Sequence, residues 1–170
     1  MSKAIMRWLS GVVAVLVLCT AQFSAAQERS YVNPSSPSGS GSPFSGAVMT
    51  DDTLYISGML GLENNEVPSD PAQEARNVLD AIKGTLEEAG MNMDDLVYVQ
   101  IFCSDVSHYD AFNAVYRTYF SQEFPARAFI GAGTLLFDAR FEIQAIAVKR
   151  PKVFPTYFLS QLEQLWLLRG

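Results

Sequence analysis

The chain is poor in the residues that cross-link proteins or bind metal ions. It contains two cysteines and one histidine, His108, among its 170 residues. Cys19 falls in an N-terminal segment that we expect to be removed, so Cys103 would have no partner for a disulfide and is expected to be buried. The sequence also lacks a glycine-rich phosphate loop and a cluster of metal ligands. These absences predict a protein without a metal ion or an organic cofactor.

Positive charge is also scarce. The chain carries 18 acidic and 12 basic side chains, a net charge of −6. Such a chain repels the phosphates of nucleic acids, which excludes a general nucleic-acid binder. Hydrophobic residues make up 49% of the sequence, enough for the core of one domain with short extensions.

Residues 1–26 have the pattern of a secretory signal peptide. Lys3 and Arg7 precede an apolar run from Trp8 to Cys19, and small residues end at Ala26. The run is shorter than the roughly 20 apolar residues that span a bilayer. We expect export to the periplasm or the medium and no membrane span in the mature chain. An uncleaved membrane anchor is the alternative.

Composition divides the rest of the chain into three parts. Residues 27–42 are rich in Ser, Gly and Pro and predict a flexible lead, because such residues bury little apolar surface. Residues 43–150 are predicted to form the domain. Residues 151–170 form an extension whose apolar stretch is expected to dock on the domain or on a neighbouring subunit, with contact to a membrane surface as the alternative.

The order of apolar patterns predicts an α+β domain. Asp70, Pro71 and Gln73 form an N-terminal capping pattern for a helix that ends near Gly90, with one apolar stripe. The predicted order is strands at 47–50 and 54–57, this helix, a strand at 96–102, a helix at 107–120, and strands at 126–133 and 140–149. We expect a mixed sheet with two helices packed on one face and with its other face covered by oligomerisation.

The last two predicted strands carry one fixed cation and one carboxylate. If they form a hairpin that turns near Phe137, Arg127 and Glu142 project from the same face, because side chains alternate along a strand. A shift of one residue would place them on opposite faces. An ordinary exposed arginine and a solvated carboxylate are the alternative interpretations.

Five motifs occur in a fixed order between about residues 42 and 150. They are Ile56–Gly58, Ala89–Gly90, Asn113–Tyr116, Phe124–Arg127 and Phe141–Lys149. Together they resemble the RidA/YjgF family of reactive-intermediate deaminases. The resemblance implies a chorismate-mutase-like (RidA-like) fold and a homotrimer with sites at the subunit interfaces. It also implies hydrolysis of small 2-imino or enamine acids to 2-oxo acids and ammonia, without a cofactor.

The same resemblance implies roles for individual residues. Arg127 would hold the substrate carboxylate through two parallel hydrogen bonds. Glu142 and the main-chain carbonyl of Phe129 would position the attacking water. Ser57 and Asn113 would contribute to the pocket and to its wall at the subunit interface, although a strand-end hydroxyl and a helix-surface amide are the structural alternatives.

Three further pocket positions follow from the resemblance. Gly58 would allow the backbone to approach a ligand closely. Phe44 stands where the family often has a tyrosine, and Met59 stands where a glutamine is frequent, so the pocket is expected to be drier. These departures motivate the alternative of a non-catalytic, small-carboxylate-binding trimer of the cell envelope. A ribonuclease, an activity ascribed to some relatives, is disfavoured by the acidic charge and the single His108.

Overall fold

The computed structural model describes residues 28–33 and 42–150. The domain contains two α-helices and six strands in these residues, joined by short 3₁₀ turns. In chain order they are β1 Arg29–Val32, β2 Ala47–Thr50, β3 Thr53–Leu60, α1 Pro71–Glu88, β4 Leu96–Cys103, α2 Tyr109–Tyr116, β5 Ala126–Gly131 and β6 Phe141–Val148. The predictions for residues 1–26 and 151–170 lie outside the described residues.

The strands form one mixed sheet in the order β1-β2-β3-β6-β4-β5. Only β4 and β5 pair in parallel, and the other neighbours are antiparallel. Both helices pack on the same face of the sheet, α1 against β3 and β6, and α2 against α1. This arrangement confirms the predicted α+β class. None of the helices in the described ranges is long and apolar enough to cross a membrane.

The core lies between the helices and one face of the sheet. Alternate residues of β6 are buried, while the residues between them face the other side. The predicted stripe of α1 is also confirmed, since Val78, Leu79, Ile82 and Leu86 are each at most 1% exposed. Full burial of one such side chain stabilises a fold by about 1.5–3 kcal/mol, so this interface contributes substantially to the stability of the domain.

The ends of α1 agree in part with the predicted capping pattern and the predicted end near Gly90. The carboxylate of Asp70 accepts a hydrogen bond from the N–H of Ala72 at 2.9 Å, and Pro71 occupies the first turn. Gln73 does not complete a capping box, because its amide binds Arg76 and Asn77 instead. Gly90 follows the helix at a φ of +71°, a conformation that glycine adopts without steric cost.

Two predictions need correction, one about the flexible lead and one about the second helix. Residues 29–32 of the predicted flexible lead form β1, which pairs with β2, so the ordered unit begins before residue 43. The helix predicted at 107–120 is shorter. It runs from Tyr109 to Tyr116, with 3₁₀ turns at Val106–His108 and Arg117–Tyr119.

The predicted hairpin between the last two strands is wrong. β5 pairs in parallel with β4 and forms the edge of the sheet, whereas β6 lies between β3 and β4. A helix separates β4 from β5, and such a crossover joins parallel strands. The chain from 132 to 140 then carries β6 past β4 to the centre, where both of its edges are paired.

Among the described residues, the second face of the sheet is left open. It presents Tyr55, which is half exposed, together with Tyr98, Gln144 and Ile146, around a shallow depression of about 200 Å³. An uncovered face with this many apolar side chains is typical of a surface that contacts another protein chain.

Candidate active site

Arg127 lies on β5 beneath α2, held by one amide and three aromatic rings. Its Nη1 donates a hydrogen bond to Oδ1 of Asn113 at 2.7 Å. The guanidinium carbon lies 4.8 Å from the ring centre of Tyr116, 5.8 Å from Tyr109 and 5.9 Å from Phe129. Cation–π contacts of this kind favour a charged guanidinium in a fixed position.

The positive charge of Arg127 is not neutralised by the described part of the chain. No Asp or Glu there forms an ion pair with it. Asn113 is only 9% exposed, so it is not the helix-surface amide of the alternative interpretation, and its oxygen is used to orient the guanidinium. The remaining N–H donors of Arg127 are suited to a carboxylate from outside the chain.

The main-chain carbonyl of Phe129 points to the open edge of β5. The N–H of Ala132 donates to the carbonyl of Cys103 in β4 at 2.9 Å. In a strand, the N–H and C=O of one residue point to the same side and those of the next residue point to the other. Even-numbered residues of β5 therefore bond to β4, and the carbonyls of Arg127 and Phe129 face away from the sheet.

Glu142 belongs to a second group of predicted residues, on β6 and β3. Its carboxylate lies against the backbone of Gly58, so closely that a Cβ at this position would collide with Oε1. The adjacent Ser57 donates its hydroxyl to the carbonyl of Ser45 at 2.7 Å. The close approach predicted for Gly58 was to a ligand, and in the structure the group next to its backbone is the Glu142 carboxylate.

Arg127 and Glu142 project from opposite faces of the sheet, so the prediction of a shared face is wrong. Arg127 pairs with Val99, and Val99 pairs with Ala145, which is buried beneath the helices. Residues directly opposite in a sheet share a face, and residues one apart do not. Glu142 is an odd number of residues from Ala145, and its side chain lies on the open face.

Of the two remaining predicted pocket residues, one is exposed near Ser57 and the other points to the core. Phe44 precedes the Ser45 carbonyl that binds Ser57, and it is 55% exposed. Met59 turns the other way, because the sheet register shifts between Ile56 and Met59. Its sulfur accepts a hydrogen bond from the hydroxyl of Thr85 on α1 at 3.8 Å. The side chain of Met59 is therefore directed to the core and away from Glu142.

Glu74 is a structural residue of the site that the sequence interpretation missed. It is completely buried on α1, and its Oε1 accepts hydrogen bonds from the N–H groups of Arg140 and Phe141 at 2.6 and 3.1 Å. Its Oε2 pairs with Nη1 of Arg140 at 2.8 Å. These contacts fix the backbone just before Glu142. A charged residue four positions before Val78, within an otherwise apolar stripe, is the pattern that would have revealed it.

Tyr116 is a second missed residue. Its hydroxyl is buried and has no hydrogen-bond partner among the described residues. Burial raises the pKa of the phenol to about 12, and the positive charge of Arg127 opposes this shift. The ring covers the guanidinium of Arg127, so the residue contributes to the electrostatic environment of that cation.

Cys103 and His108 are not among the residues that contact the guanidinium of Arg127. Cys103 is buried, its thiol donates to the carbonyl of Asp105 at 3.0 Å, and burial raises its pKa. The ring centres of His108 and Phe141 lie 6.1 Å apart in an edge-to-face arrangement. Within 28–33 and 42–150, no three side chains of His, Cys, Asp or Glu converge as a metal site would require.

A sequence model of one family, described as Endoribonuclease L-PSP, matches residues 35–149 of the chain. Solved structures of proteins named RidA and YjgF are similar to this chain. The chain belongs to the RidA/YjgF family. The resemblance predicted from the five ordered motifs is thereby confirmed.

Relatives of this RidA/YjgF protein carry names of deaminases. The 2-iminobutanoate/2-iminopropanoate deaminase of Bos taurus is 38% identical over 112 residues, which are 64% of this chain and 82% of the relative. The 3-aminoacrylate deaminase RutC of Acinetobacter baylyi is 40% identical over 108 residues, 62% of this chain and 86% of the relative. Both matches cover most of the relative's length.

Solved structures of the RidA/YjgF family share the fold. The YjgF protein of E. coli superposes with a TM-score of 0.63 at 32% identity, over 71% of this chain and all of that one. RidA from an Antarctic Psychrobacter gives a TM-score of 0.60 at 30% identity, over 67% of this chain and 94% of the other.

Proposed function

We propose that this protein hydrolyses reactive 2-imino and enamine acids to 2-oxo acids and ammonia. The observation that carries the proposal is Arg127: a guanidinium oriented by Asn113 at 2.7 Å, without a carboxylate partner in the described chain, and two residues from a carbonyl that faces the open sheet edge. This pair of groups suits the carboxylate of an imino acid and a water molecule. The deaminase names of the relatives support the same reaction class.

We infer that each site is completed by a second subunit. Arg127 with the Phe129 carbonyl lies at the sheet edge, and Glu142 with Gly58 lies on the opposite face of the same chain. A homotrimer would bring the edge group of one subunit against the open face of its neighbour. The apolar surface around Tyr55 and Ile146 would then be covered as well.

The chemistry needs little more than orientation and one proton transfer. Arg127 binds the carboxylate and presents the protonated imine carbon, already a strong electrophile, to a water held by the Phe129 carbonyl and Glu142. As the C–O bond forms, the π electrons of the C=N bond move to nitrogen, and Glu142 takes a proton from the water. Glu142 returns that proton to nitrogen, and the second water proton follows as the C–N bond breaks. The products are the 2-oxo acid and an ammonium ion.

The first test measures imine loss. A coupled enzyme generates 2-aminoacrylate or 2-iminobutanoate, and absorbance follows its decay with and without the purified protein. We expect Arg127→Ala to lower kcat/KM on the order of 10–100-fold, the effect of losing one charge-assisted contact. Glu142→Gln is expected to lower kcat about 10²–10⁴-fold, the contribution of a general base. Arg76→Ala, at an exposed ion pair with Asp70, is the matched control and should leave the rate unchanged.

Two results would contradict the proposal. Full activity in Arg127→Ala would show that Arg127 does not bind the substrate, and the proposal would lose the observation that carries it. Tight binding of 2-oxobutanoate by calorimetry without any acceleration of imine decay would instead favour the non-catalytic carboxylate-binding trimer.

The second test asks whether one site uses two subunits. Arg127→Ala and Glu142→Gln chains are denatured together and refolded as mixed trimers. If sites form between subunits, about one quarter of the sites in a random mixture contain both native residues, so activity returns to that fraction. If both residues acted within one chain, no mixed trimer would contain an intact site, and the mixture would stay as inactive as its components.

We also propose that the protein is exported. The charged start at Lys3 and Arg7, the apolar run that follows and the small residues ending at Ala26 support cleavage by a signal peptidase. The chain expressed with its own N-terminus should be recovered from the periplasm or the medium, with a mature sequence starting at Gln27. Recovery of the full-length chain from the cytoplasm would contradict export.

A further inference from the structure

A second arginine shares a cavity with Arg127. The cavity has a volume of about 200 Å³ and is lined by Asn113, Tyr116, Arg117, Phe124, Pro125 and Arg127. Liquid water occupies about 30 Å³ per molecule, so the cavity has room for one small organic acid. Arg117 was not among the residues that the sequence pattern singled out.

Each of the two guanidiniums lies over one ring of an aromatic pair. The Arg127 guanidinium carbon is 4.8 Å from the ring centre of Tyr116, and that of Arg117 is 6.0 Å from the ring centre of Phe124. The two rings are stacked, with centres 6.1 Å apart and planes inclined by 22°. The two rings and the two cations line the same cavity, and this combination suits a short carbon chain that carries a negative charge at each end.

Arg117 and Arg127 line one cavity in a chain whose net charge is −6. Arg76, Arg140 and Arg150 each bind a carboxylate. Neither Arg117 nor Arg127 has an acidic partner within the described ranges. Two unneutralised cations on one cavity repel each other at no benefit to the empty protein, whereas a dianion would neutralise both.

We propose that the cavity selects 2-imino and 2-oxo acids that carry a second carboxylate on their side chain. Arg127 binds the carboxylate next to the reacting carbon, and Arg117 binds the distal carboxylate. The carbon chain between them lies against Tyr116 and Phe124. The inference rests on the proposed function for the role of Arg127, and it adds Arg117 as a specificity-determining residue for imines of acidic amino acids.

The test compares two stable product analogues by calorimetry at pH 7. 2-Oxoglutarate has the distal carboxylate and 2-oxobutanoate lacks it. We expect the native protein to bind 2-oxoglutarate about tenfold more tightly, the effect of one charge-assisted contact at a partly exposed site. Arg117→Gln should abolish that preference and leave the Kd of 2-oxobutanoate unchanged.

Arg76→Gln is the matched control, because it removes the same charge from an arginine on α1 that does not line this cavity. It should preserve the preference for 2-oxoglutarate. Equal affinities of the native protein for both acids, or the same loss in both arginine variants, would overturn the proposal. An equal loss of affinity for both acids in Arg117→Gln would also overturn the proposal.

Failure of this proposal is distinguishable from failure of the proposed function. Arg127→Ala should weaken both acids, since both carry the carboxylate next to the reacting carbon. If Arg127→Ala weakens 2-oxobutanoate while Arg117→Gln affects neither acid, only the dicarboxylate preference is refuted. If Arg127→Ala affects neither, the proposed function itself is refuted.

Discussion

Substitution of Glu74 tests how a buried ion pair positions the start of β6. The Glu74 side chain is completely buried, while that of Arg140 is 24% exposed. Glu74→Ala would leave the Arg140 guanidinium without its carboxylate partner and would also remove the acceptor of two main-chain N–H groups. The guanidinium would keep the carbonyls of Pro68 and Ser69.

The expected cost of Glu74→Ala is large. Breaking a buried ion pair by removing one partner costs about 3–5 kcal/mol, and each buried donor that loses its acceptor costs about 1–3 kcal/mol. The contacts that Arg140 retains reduce the sum, so we expect a loss of about 3–6 kcal/mol in the free energy of unfolding. Domains of this kind are stable by only about 5–15 kcal/mol in total.

Glu74→Gln separates the charge from the hydrogen bonds. Both main-chain N–H groups bind the same oxygen, Oε1, and the amide oxygen of glutamine can keep these two bonds. Only the ionic contact to Arg140 is lost, so we expect a smaller cost of about 1–3 kcal/mol. Glu87→Gln is the control on the same helix, because its pair with Lys83 at 3.9 Å is exposed and should contribute less than about 0.5 kcal/mol.

Urea unfolding followed by circular dichroism measures these differences. All variants are compared at one protein concentration, because the measured stability would depend on concentration if the proposed trimer forms. The reasoning requires the order Glu74→Ala, Glu74→Gln, Glu87→Gln from most to least destabilised. A cost below about 1 kcal/mol for Glu74→Ala, or equal costs for the two glutamine variants, would refute it.

Three further outcomes are expected. Tyr116→Phe should be neutral or stabilise by about 1 kcal/mol in urea unfolding, because it removes a buried hydroxyl without a partner in the described chain; a clear loss would reveal a partner beyond the described residues. Cys103 should react slowly with a thiol reagent at pH 8 in the folded protein and quickly in urea, since burial raises its pKa; fast labelling of the folded form would contradict this. Hydrogen bonds from Ser121 lower the pKa of Asp94, so their stabilisation is present above about pH 3.9 and is lost as the pH falls through the lower folded value. Asp94→Asn should therefore show a weaker fall of Tm between pH 5 and 2 than the native protein, and an identical pH profile would count against the assignment.

Much of the local structure could be predicted from the sequence because it depends on short-range patterns. The stripe of α1, its cap at Asp70 and the alternation of β6 each follow from side-chain spacing within one element. The membership of Arg127 and Glu142 in a site was predicted from motif order. The predicted hairpin failed because alternation shows which face of a strand is buried and does not show which strand lies beside it.

The amino-acid sequence by itself determined the family and the α+β class, and it predicted which residues would form a site. Only the tertiary structure decided the strand order, which places β5 at the edge and β6 at the centre. That order puts Arg127 and Glu142 on opposite faces of one sheet and brings Arg117 to the cavity of Arg127. The physical reason is that pairing partners are selected by packing between residues far apart in the chain, and no local pattern encodes this selection.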